Sequence, residues 1–306
     1  MLQVVIVGDR DSGKTTFLGL LYATQVKSGS DKADDFRFHA TFESLEEITV
    51  VFQRLMSGSF PDSATKEGIH EISFHLGYRR SRPRVLSLLR SREWSPGAFA
   101  TFRFILLRTL DQEIARLLKG SSVADGKLRD ALDGDAVAVL VDSTKLAVNG
   151  EDPHLGPMGK YDAAVESLLT AIQRWRQRGG RGLLYPIFIL SKFDRVSPEA
   201  LRAANLEAAP PRVGKKGPRA AYAEALLDHN LPRTLAKVRA RERGGLRFAM
   251  PSYFFSWVRT EGAVHERSGR VRRRRSGVAG WEPDYSRDEY IAFLECLRDI
   301  AARTGE

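Results

Sequence analysis

The sequence has a single cysteine, Cys296, among its 306 residues, so an internal disulfide is excluded. It also has no apolar run near the roughly 18–20 residues that a membrane-spanning helix needs. Residues 1–4 lack the basic start of a secretory signal. We therefore expect a soluble protein of the reducing cytosol. The alternative is a cytosolic protein that associates peripherally with a membrane.

The amino-acid composition excludes two further classes of protein, disordered chains and collagen-like chains. Apolar residues make up 42% of the chain and charged residues 28%, which is enough to fill a core and unlike a disordered or collagen-like chain. No internal repeat is evident. At roughly 100–200 residues per domain, the length allows one large domain or two ordinary ones.

The chain has fewer acidic than basic residues, and the excess of positive charge is concentrated in two segments. The formal net charge is +10, yet residues 212–275 alone carry +12 and residues 79–108 carry +7. The rest of the chain is therefore net acidic, at −9. The protein is therefore predicted to be acidic apart from two cationic segments. Any electrostatic attraction to an anionic partner is expected from those two segments and not from the whole surface.

The most specific motif is a Gly-x-x-x-x-Gly-Lys-Ser/Thr pattern at residues 8–15. An almost continuous apolar run at residues 2–7 precedes it, and residues 17–22 continue with helical apolar content. Strand, glycine-rich loop and helix in this order are the context in which the pattern binds phosphates. Gly8 and Gly13 permit the tight turn that aims backbone amides at an anion.

Each residue type in this loop has an expected role. The amides from Asp11 to Thr15 point at phosphate oxygens from the positive end of the helix. Lys14 reaches the β- and γ-phosphates, and the Thr15 hydroxyl is a ligand for Mg²⁺. The loop residues predicted to bind nucleotide are Gly8, Asp11, Ser12, Gly13, Lys14, Thr15 and Thr16.

Two later apolar runs, residues 135–142 and 184–190, are typical of buried strands, and Ser191-Lys192-Phe193-Asp194 follows the second. With the phosphate loop, this pattern resembles the Ras-like branch (TRAFAC class) of the P-loop GTPases, which carry Asn/Thr-Lys-x-Asp here. The resemblance implies that the Lys192 stem lies along guanine and that Asp194 accepts hydrogen bonds from guanine N1 and N2. Serine in first place departs from the family, although its hydroxyl can still serve the loop.

Weaker matches extend the resemblance. Ser256-Trp257-Val258 stands where the family has its Ser-Ala-x base-contacting turn, and only Ser256 matches. Thr65, which precedes an alternating run at residues 69–76, is by position the threonine that senses the γ-phosphate through Mg²⁺. An ordinary turn threonine or strand-end serine is the competing interpretation. A helically spaced segment at residues 45–55 ahead of Thr65 resembles the prokaryotic double-GTPase-like group.

The family pattern breaks at its Asp-x-x-Gly motif. The best candidate is a strand at residues 102–107 followed by Arg108-Thr109-Leu110-Asp111-Gln112-Glu113, with Arg108 in place of the aspartate and Asp111 in place of the glycine. Arginine brings like charge to the metal, and a side chain at Asp111 hinders the amide's approach to phosphate. Gln112 then stands where the family positions water, unless it is a surface glutamine. An alternative strand at residues 85–89 restores neither motif residue.

The expected fold is one α/β domain over residues 1–306, with a mainly parallel sheet, helices on both faces and nucleotide at the carboxyl ends of the strands. Insertions are expected at about residues 28–58, 77–101, 205–250 and 260–283. The first functional hypothesis is a regulatory switch that binds GTP/GDP and Mg²⁺ and hydrolyses GTP slowly with a partner's help. The alternative is a pseudo-GTPase scaffold; a P-loop ATPase or kinase ranks third, because adenine does not require residues 191–194.

The basic segments suggest a further partner. Residues 79–92 predict an edge hairpin, residues 270–275 a second hairpin before a final helix at 287–302, and residues 210–219 a flexible basic loop. They fit an acidic protein or an anionic membrane surface better than nucleic acid, because no aromatic residue interrupts the arginine runs. Solvated loops without a ligand remain the other interpretation.

Overall fold

The computed structural model describes residues 1–26, 36–61, 69–78, 99–107, 126–146, 157–179, 183–240, 242–243, 246–262, 269–276 and 280–304. The predicted edge hairpin at residues 79–92 lies outside these ranges. None of the helices within them combines the length and apolar character that crossing a bilayer requires.

The described residues contain both strands and helices. The strands are β1 (Leu2–Gly8), β2 (Phe36–Ala40), β3 (Ile69–Tyr78), β4 (Phe99–Leu107), β5 (Ala136–Asp142), β6 (Leu183–Ser191), β7 (Glu242–Arg243), β8 (Leu246–Phe248), β9 (Ser252–Phe255), β10 (Thr260–Glu261), β11 (Arg270–Val271), β12 (Arg273–Ser276) and β13 (Gly280–Pro283). The helices are α1 (Lys14–Val26), α2 (Phe42–Ser57), α3 (Gly126–Leu132), α4 (Pro157–Arg178), α5 (Pro198–Ala203), α6 (Lys216–Asn230), α7 (Pro232–Arg239) and α8 (Arg287–Thr304).

Nine strands form one sheet in the order β2-β3-β4-β1-β5-β6-β8-β7, and β9 also pairs with β6. β4, β1, β5, β6 and β9 run parallel, whereas β2 and β3 form an antiparallel edge. The predicted α/β class with a mainly parallel sheet is therefore confirmed. β4 lies directly beside β1, so the strand at residues 102–107 occupies the place from which an Asp-x-x-Gly motif would follow.

Strand alternation divides the apolar residues between two cores. Leu2, Val4 and Ile6 face one layer, and Val5 and Val7 face the other. Side chains of α1, α2 and α8 fill the first core, and those of α3 to α7 fill the second. Helices thus cover both faces, as a parallel sheet that is buried on both sides requires.

The helix predicted at residues 45–55 is present and longer, as α2. Its buried positions Ser44, Ile48, Val51 and Leu55 repeat every three to four residues and face α1 and the sheet. The two helices approach closely at Gly19, where an added Cβ would lie 2.5 Å from Val51 Cγ1. α2 ends at Gly58, whose φ of 89° is a left-handed cap.

A buried arginine fixes the amino ends of two central strands. Arg176, in the last turn of α4, donates to the carbonyl oxygens of Gly134 at 2.7 Å and Leu183 at 2.9 Å. It also forms an ion pair with Asp135 at 3.1 Å. Asp135 in turn accepts a hydrogen bond from the backbone N–H of Gln3. One side chain therefore connects the starts of β1, β5 and β6.

The prediction of a flexible basic loop over residues 210–219 is wrong in its second half. α6 begins at Lys216, and Arg219 is buried. Its guanidinium pairs with Glu289 of α8 at 2.5 Å and donates to the Pro211 carbonyl at 2.5 Å. Local composition suggested a solvated loop because the acidic partner of Arg219 lies seventy residues later in the chain.

The hairpin predicted around residues 270–275 is confirmed. β12 and β13 form a two-stranded antiparallel ribbon directly before α8, and β10 pairs with β11 beside it. The backbone N–H of Val271 donates to the Gly58 carbonyl at 2.8 Å, and the Val271 side chain is buried. This contact holds β11, which leads into the ribbon, against the end of α2.

Candidate functional site

The loop between β1 and α1 has the backbone geometry of an anion-binding turn. Gly13 has φ 87° and Asp11 has φ 61°, so two residues of the turn adopt the left-handed region. Gly8 is required for a different reason, since a Cβ there would lie 2.4 Å from Ser12 Oγ and 3.1 Å from Leu140 Cβ. The helix that follows has no acidic residue in its first turn, which leaves its positive end uncompensated.

Lys14 lies inside this loop. Its ammonium donates to the carbonyl oxygens of Gly8 at 2.6 Å and Asp9 at 2.9 Å, and only 9% of the residue is exposed. The Ser12 hydroxyl is also buried and has no hydrogen-bond partner among the described residues. A phosphate in the loop would supply acceptors to both groups, so the loop residues fit such a ligand.

Thr15 and Thr16 are half-buried in the first turn of α1. The part of the chain that the structure describes contains no group of three or more His, Cys, Asp or Glu side chains placed to hold a metal. The Thr15 hydroxyl would be a ligand for a Mg²⁺ ion bound beside this loop.

The Ser191-Lys192-Phe193-Asp194 segment meets the phosphate loop directly. β6 ends at Ser191, whose hydroxyl donates to the Ser12 carbonyl at 2.8 Å and to the Val141 carbonyl at 3.2 Å. The hydroxyl thus serves the loop, as expected from the sequence. Because Ser191 is buried, this bond holds the two predicted nucleotide-binding segments in one arrangement.

Lys192 adopts the left-handed region, with φ 52°, and its ammonium lies 2.7 Å from Asp142 Oδ2. Asp142, at the end of β5, is buried and also accepts hydrogen bonds from the N–H and hydroxyl of Thr144. Both carboxylate oxygens of Asp142 are therefore engaged. This arrangement disfavours Asp142 as a direct replacement for the missing metal-holding aspartate.

The sequence analysis missed Lys145. This residue follows β5 and pairs with the Asp9 carboxylate, and it also lies 3.4 Å from the Arg10 carbonyl. Asp9 accepts a second hydrogen bond from the Arg10 backbone N–H. The position of Lys145 three residues beyond a parallel strand could have revealed it, because such ends meet at one edge of the sheet.

Asp194 presents its carboxylate at the surface of this edge. Partial loss of hydration raises the pKa of the Asp194 carboxyl above its ordinary value, and the nearby positive charges of Arg195 and Arg259 act in the opposite direction. The exposed carboxylate is an acceptor that can face a ligand with paired N–H donors.

Ser256 reaches the same loop through its main chain. Its N–H donates to the Leu190 carbonyl at 2.8 Å, and its carbonyl accepts from the Phe193 N–H at 3.1 Å. Its hydroxyl is engaged elsewhere, 2.7 Å from the Tyr290 hydroxyl in the core. Any contact from Ser256 to a ligand would therefore come from the backbone of this turn.

The remaining predicted residues, Thr65, Gln112, Arg108 and Asp111, lie outside the described ranges. β4 ends at Leu107, which follows the pairing of Leu106 with Ile6 at the loop end of β1. The sequence therefore continues from this edge into Arg108.

No protein-family model matches the sequence, and no curated protein matches it either. Among solved structures, a chain of the signal recognition particle receptor SRb-GTP/SRX complex from Chaetomium thermophilum is 14% identical to this one. The match covers 83% of this chain and 90% of that chain, with a TM-score of 0.39. A similarity at this level says nothing about what this chain binds.

Proposed function

We propose that this chain binds guanine nucleotides and acts as a regulatory switch with slow GTP hydrolysis. The observation that carries the proposal is the hydrogen bond from the Ser191 hydroxyl to the Ser12 carbonyl. It joins a phosphate-type loop to a segment that carries Lys192 and Asp194. A phosphate-binding turn and a base-binding carboxylate at neighbouring strand ends suit a nucleoside di- or triphosphate.

Each chain group has a role in this proposal. The amides of residues 11–15 and the Lys14 ammonium neutralise the phosphates, and Lys14 exchanges its loop carbonyls for phosphate oxygens. Asp194 accepts from guanine N1 and N2, a pair of donors that adenine does not present in the same way. The Thr15 hydroxyl, with Thr65 as a second candidate, would hold Mg²⁺, which supplies charge neutralisation between the β- and γ-phosphates.

Hydrolysis is proposed to be slow because Arg108 and Asp111 replace the residues of the Asp-x-x-Gly motif. Intact small GTPases already turn over at about 10⁻⁴ s⁻¹ alone, and an arginine supplied in trans adds roughly 10³–10⁵-fold. We therefore include a protein regulator in the proposal, and Gln112 as the candidate that positions water. The same substitutions support the second candidate, a scaffold that binds nucleotide with no turnover.

Calorimetric titration of GDP, GTP and ADP tests the proposal. We expect the wild type to bind both guanine nucleotides and not ADP, and Lys14→Ala to bind none of them. Lys160→Ala, which removes an exposed lysine from α4, is the matched control and should bind normally. Preference for ADP, or no binding by the wild type, would contradict the proposal.

Single-turnover phosphate release separates the two candidates. Slow release from bound GTP supports the switch, and a complex that retains GTP over hours supports the scaffold. Rapid turnover without any partner would argue against both, because neither accommodates the loss of the Asp-x-x-Gly residues.

A further inference from the structure

The ribbon of β12 and β13 separates its arginines between two faces. Residues directly opposite each other in an antiparallel pair project to the same side. Arg274 is opposite Glu282, and Arg275 is opposite Trp281. Since side chains alternate along a strand, Arg273 and Arg275 share a face with Trp281, and Arg274 lies on the other face with Glu282.

On the face of the ribbon that carries Arg274 and Glu282, here called the inner face, the arginines form ion pairs within the chain. Arg274 lies 2.9 Å from the carboxylate of Glu282, which is buried, and 4.0 Å from Asp284. The neighbouring Arg272 lies 4.0 Å from Glu261. Arg272 and Arg274 therefore each have a carboxylate partner within the chain.

On the other face, here called the outer face, the arginines lack such ion pairs with described carboxylates. Arg273 and Arg275 are exposed and form no ion pair with a carboxylate of the described residues. Trp281 is 56% exposed, and the Arg273 guanidinium lies 5.8 Å from the centre of its ring. The pairing of the strands thus places an indole beside two guanidinium groups, although no aromatic residue interrupts the arginine run in the sequence.

We propose that this outer face binds single-stranded nucleic acid. A base stacks on Trp281, and Arg273 and Arg275 contact successive phosphates of the same strand. Two residues along a strand are separated by about 6.8 Å, which is comparable with the distance between neighbouring phosphates of an extended nucleic acid strand. An acidic peptide would use the arginines and leave the indole face without a matching partner.

The ribbon also offers a fixed platform. Four residue pairs hold β12 to β13, and Val271 of β11, two residues before the ribbon, is buried and donates a backbone hydrogen bond to Gly58 at the end of α2. Side chains held on paired strands lose less freedom on binding than side chains of a loop. This surface is distinct from the nucleotide site, so the inference does not depend on the proposed function.

Fluorescence anisotropy with a labelled single-stranded DNA of mixed sequence tests the inference on the full chain. We expect salt-sensitive binding that Arg273→Gln/Arg275→Gln weakens, with the slope of log affinity against log salt reduced by roughly 1.4 for two lost phosphate contacts. Trp281→Ala should weaken binding roughly tenfold, while Trp281→Phe keeps most of it. Quenching of tryptophan emission by the DNA should decrease strongly in Trp281→Phe.

The matched charge control is Arg174→Gln/Arg178→Gln, which removes two exposed arginines from α4 on the opposite side of the sheet. This variant should bind as the wild type does, and thermal melting should show all variants folded. Equal loss in the control, unchanged binding by Trp281→Ala, or no binding by the wild type would overturn the inference. Binding to vesicles of phosphatidylserine and phosphatidylcholine without binding to DNA would overturn it in favour of a lipid surface.

Discussion

The Ser191 hydroxyl lies 2.8 Å from the main-chain carbonyl of Ser12, and through this bond the end of β6 holds the phosphate-type loop. The same hydroxyl lies 3.2 Å from the Val141 carbonyl of β5. One buried side chain therefore sets the spacing between the loop and the two strand ends beside it. The proposed base and phosphate sites are positioned relative to each other by this residue.

Ser191→Ala should weaken guanine nucleotide binding about fivefold, because one buried hydrogen bond contributes about 1 kcal/mol. Ser191→Thr keeps the hydroxyl and should bind nearly as the wild type does. Calorimetric affinities for GDP measure both. Equal losses in the two variants would indicate a packing effect and would contradict the role of the hydroxyl.

Asp194→Asn should change the base that the site accepts. Xanthine has a carbonyl where guanine has its amino group, and an amide side chain can donate to that carbonyl while it accepts from N1. We expect weaker binding of GDP and measurable binding of xanthosine diphosphate, each followed by nucleotide titration. Asp194→Ala is the control, and it should bind neither tightly. A variant that still prefers GDP would show that Asp194 does not contact the base.

Gly8→Ala should destabilise the fold by about 1–3 kcal/mol, because its Cβ would overlap Ser12 Oγ at 2.4 Å and crowd Leu140 at 3.1 Å. The comparison variant is Gly217→Ala in α6, where an added Cβ meets no atom within 4 Å. That substitution should be neutral or stabilise by about 0.5 kcal/mol. Urea unfolding measures both, and similar effects at the two positions would contradict the steric argument.

Stability should fall as pH rises above 10, because buried tyrosines keep their protons only in the folded state. Burial raises the pKa of Tyr285 to about 12, and burial raises the pKa of Tyr290 further. The unfolded chain loses these protons near pH 10, so it binds fewer protons than the folded chain between pH 10 and 12. Each tyrosine then removes about 1.4 kcal/mol of stability per pH unit.

Urea unfolding at a series of pH values measures this loss, and Tyr285→Phe should show a shallower decline than the wild type. An equally steep decline in Tyr285→Phe and in the wild type would contradict the contribution of this buried hydroxyl.

The sequence predicted those parts of the fold whose signal is local. The run before Gly8 predicted β1, and the spacing of Ile48, Val51 and Leu55 predicted α2, because burial on a strand or helix repeats with the period of that element. The apolar run at residues 102–107 was predicted to be a strand, and the structure forms β4 there, beside β1.

The parts that could not be predicted depend on pairs of residues far apart in the chain. Arg219 looked like a loop residue because nothing near it in sequence points to Glu289. Lys145 pairs with Asp9, which lies 136 residues earlier in the chain, so only the shared sheet edge of the two strand ends points to this contact. The Trp281 ring lies near the Arg273 guanidinium because of the register in which β12 pairs with β13. That register is set by tertiary packing and not by local sequence. For this reason the sequence alone gave no indication that an aromatic side chain lies beside the arginines of the ribbon.

Arg176 lies at the end of the sheet opposite the phosphate-type loop, yet it helps to position the residues beside that loop. It holds the starts of β5 and β6, and the eight residues from Asp135 to Asp142 carry that alignment about 23 Å along the strand to the opposite edge. A slip of one residue would move Asp142 and Ser191 away from the loop and turn their side chains to the wrong face. Substitutions at this remote arginine are therefore expected to lower the proposed nucleotide affinity as well as the stability of the fold.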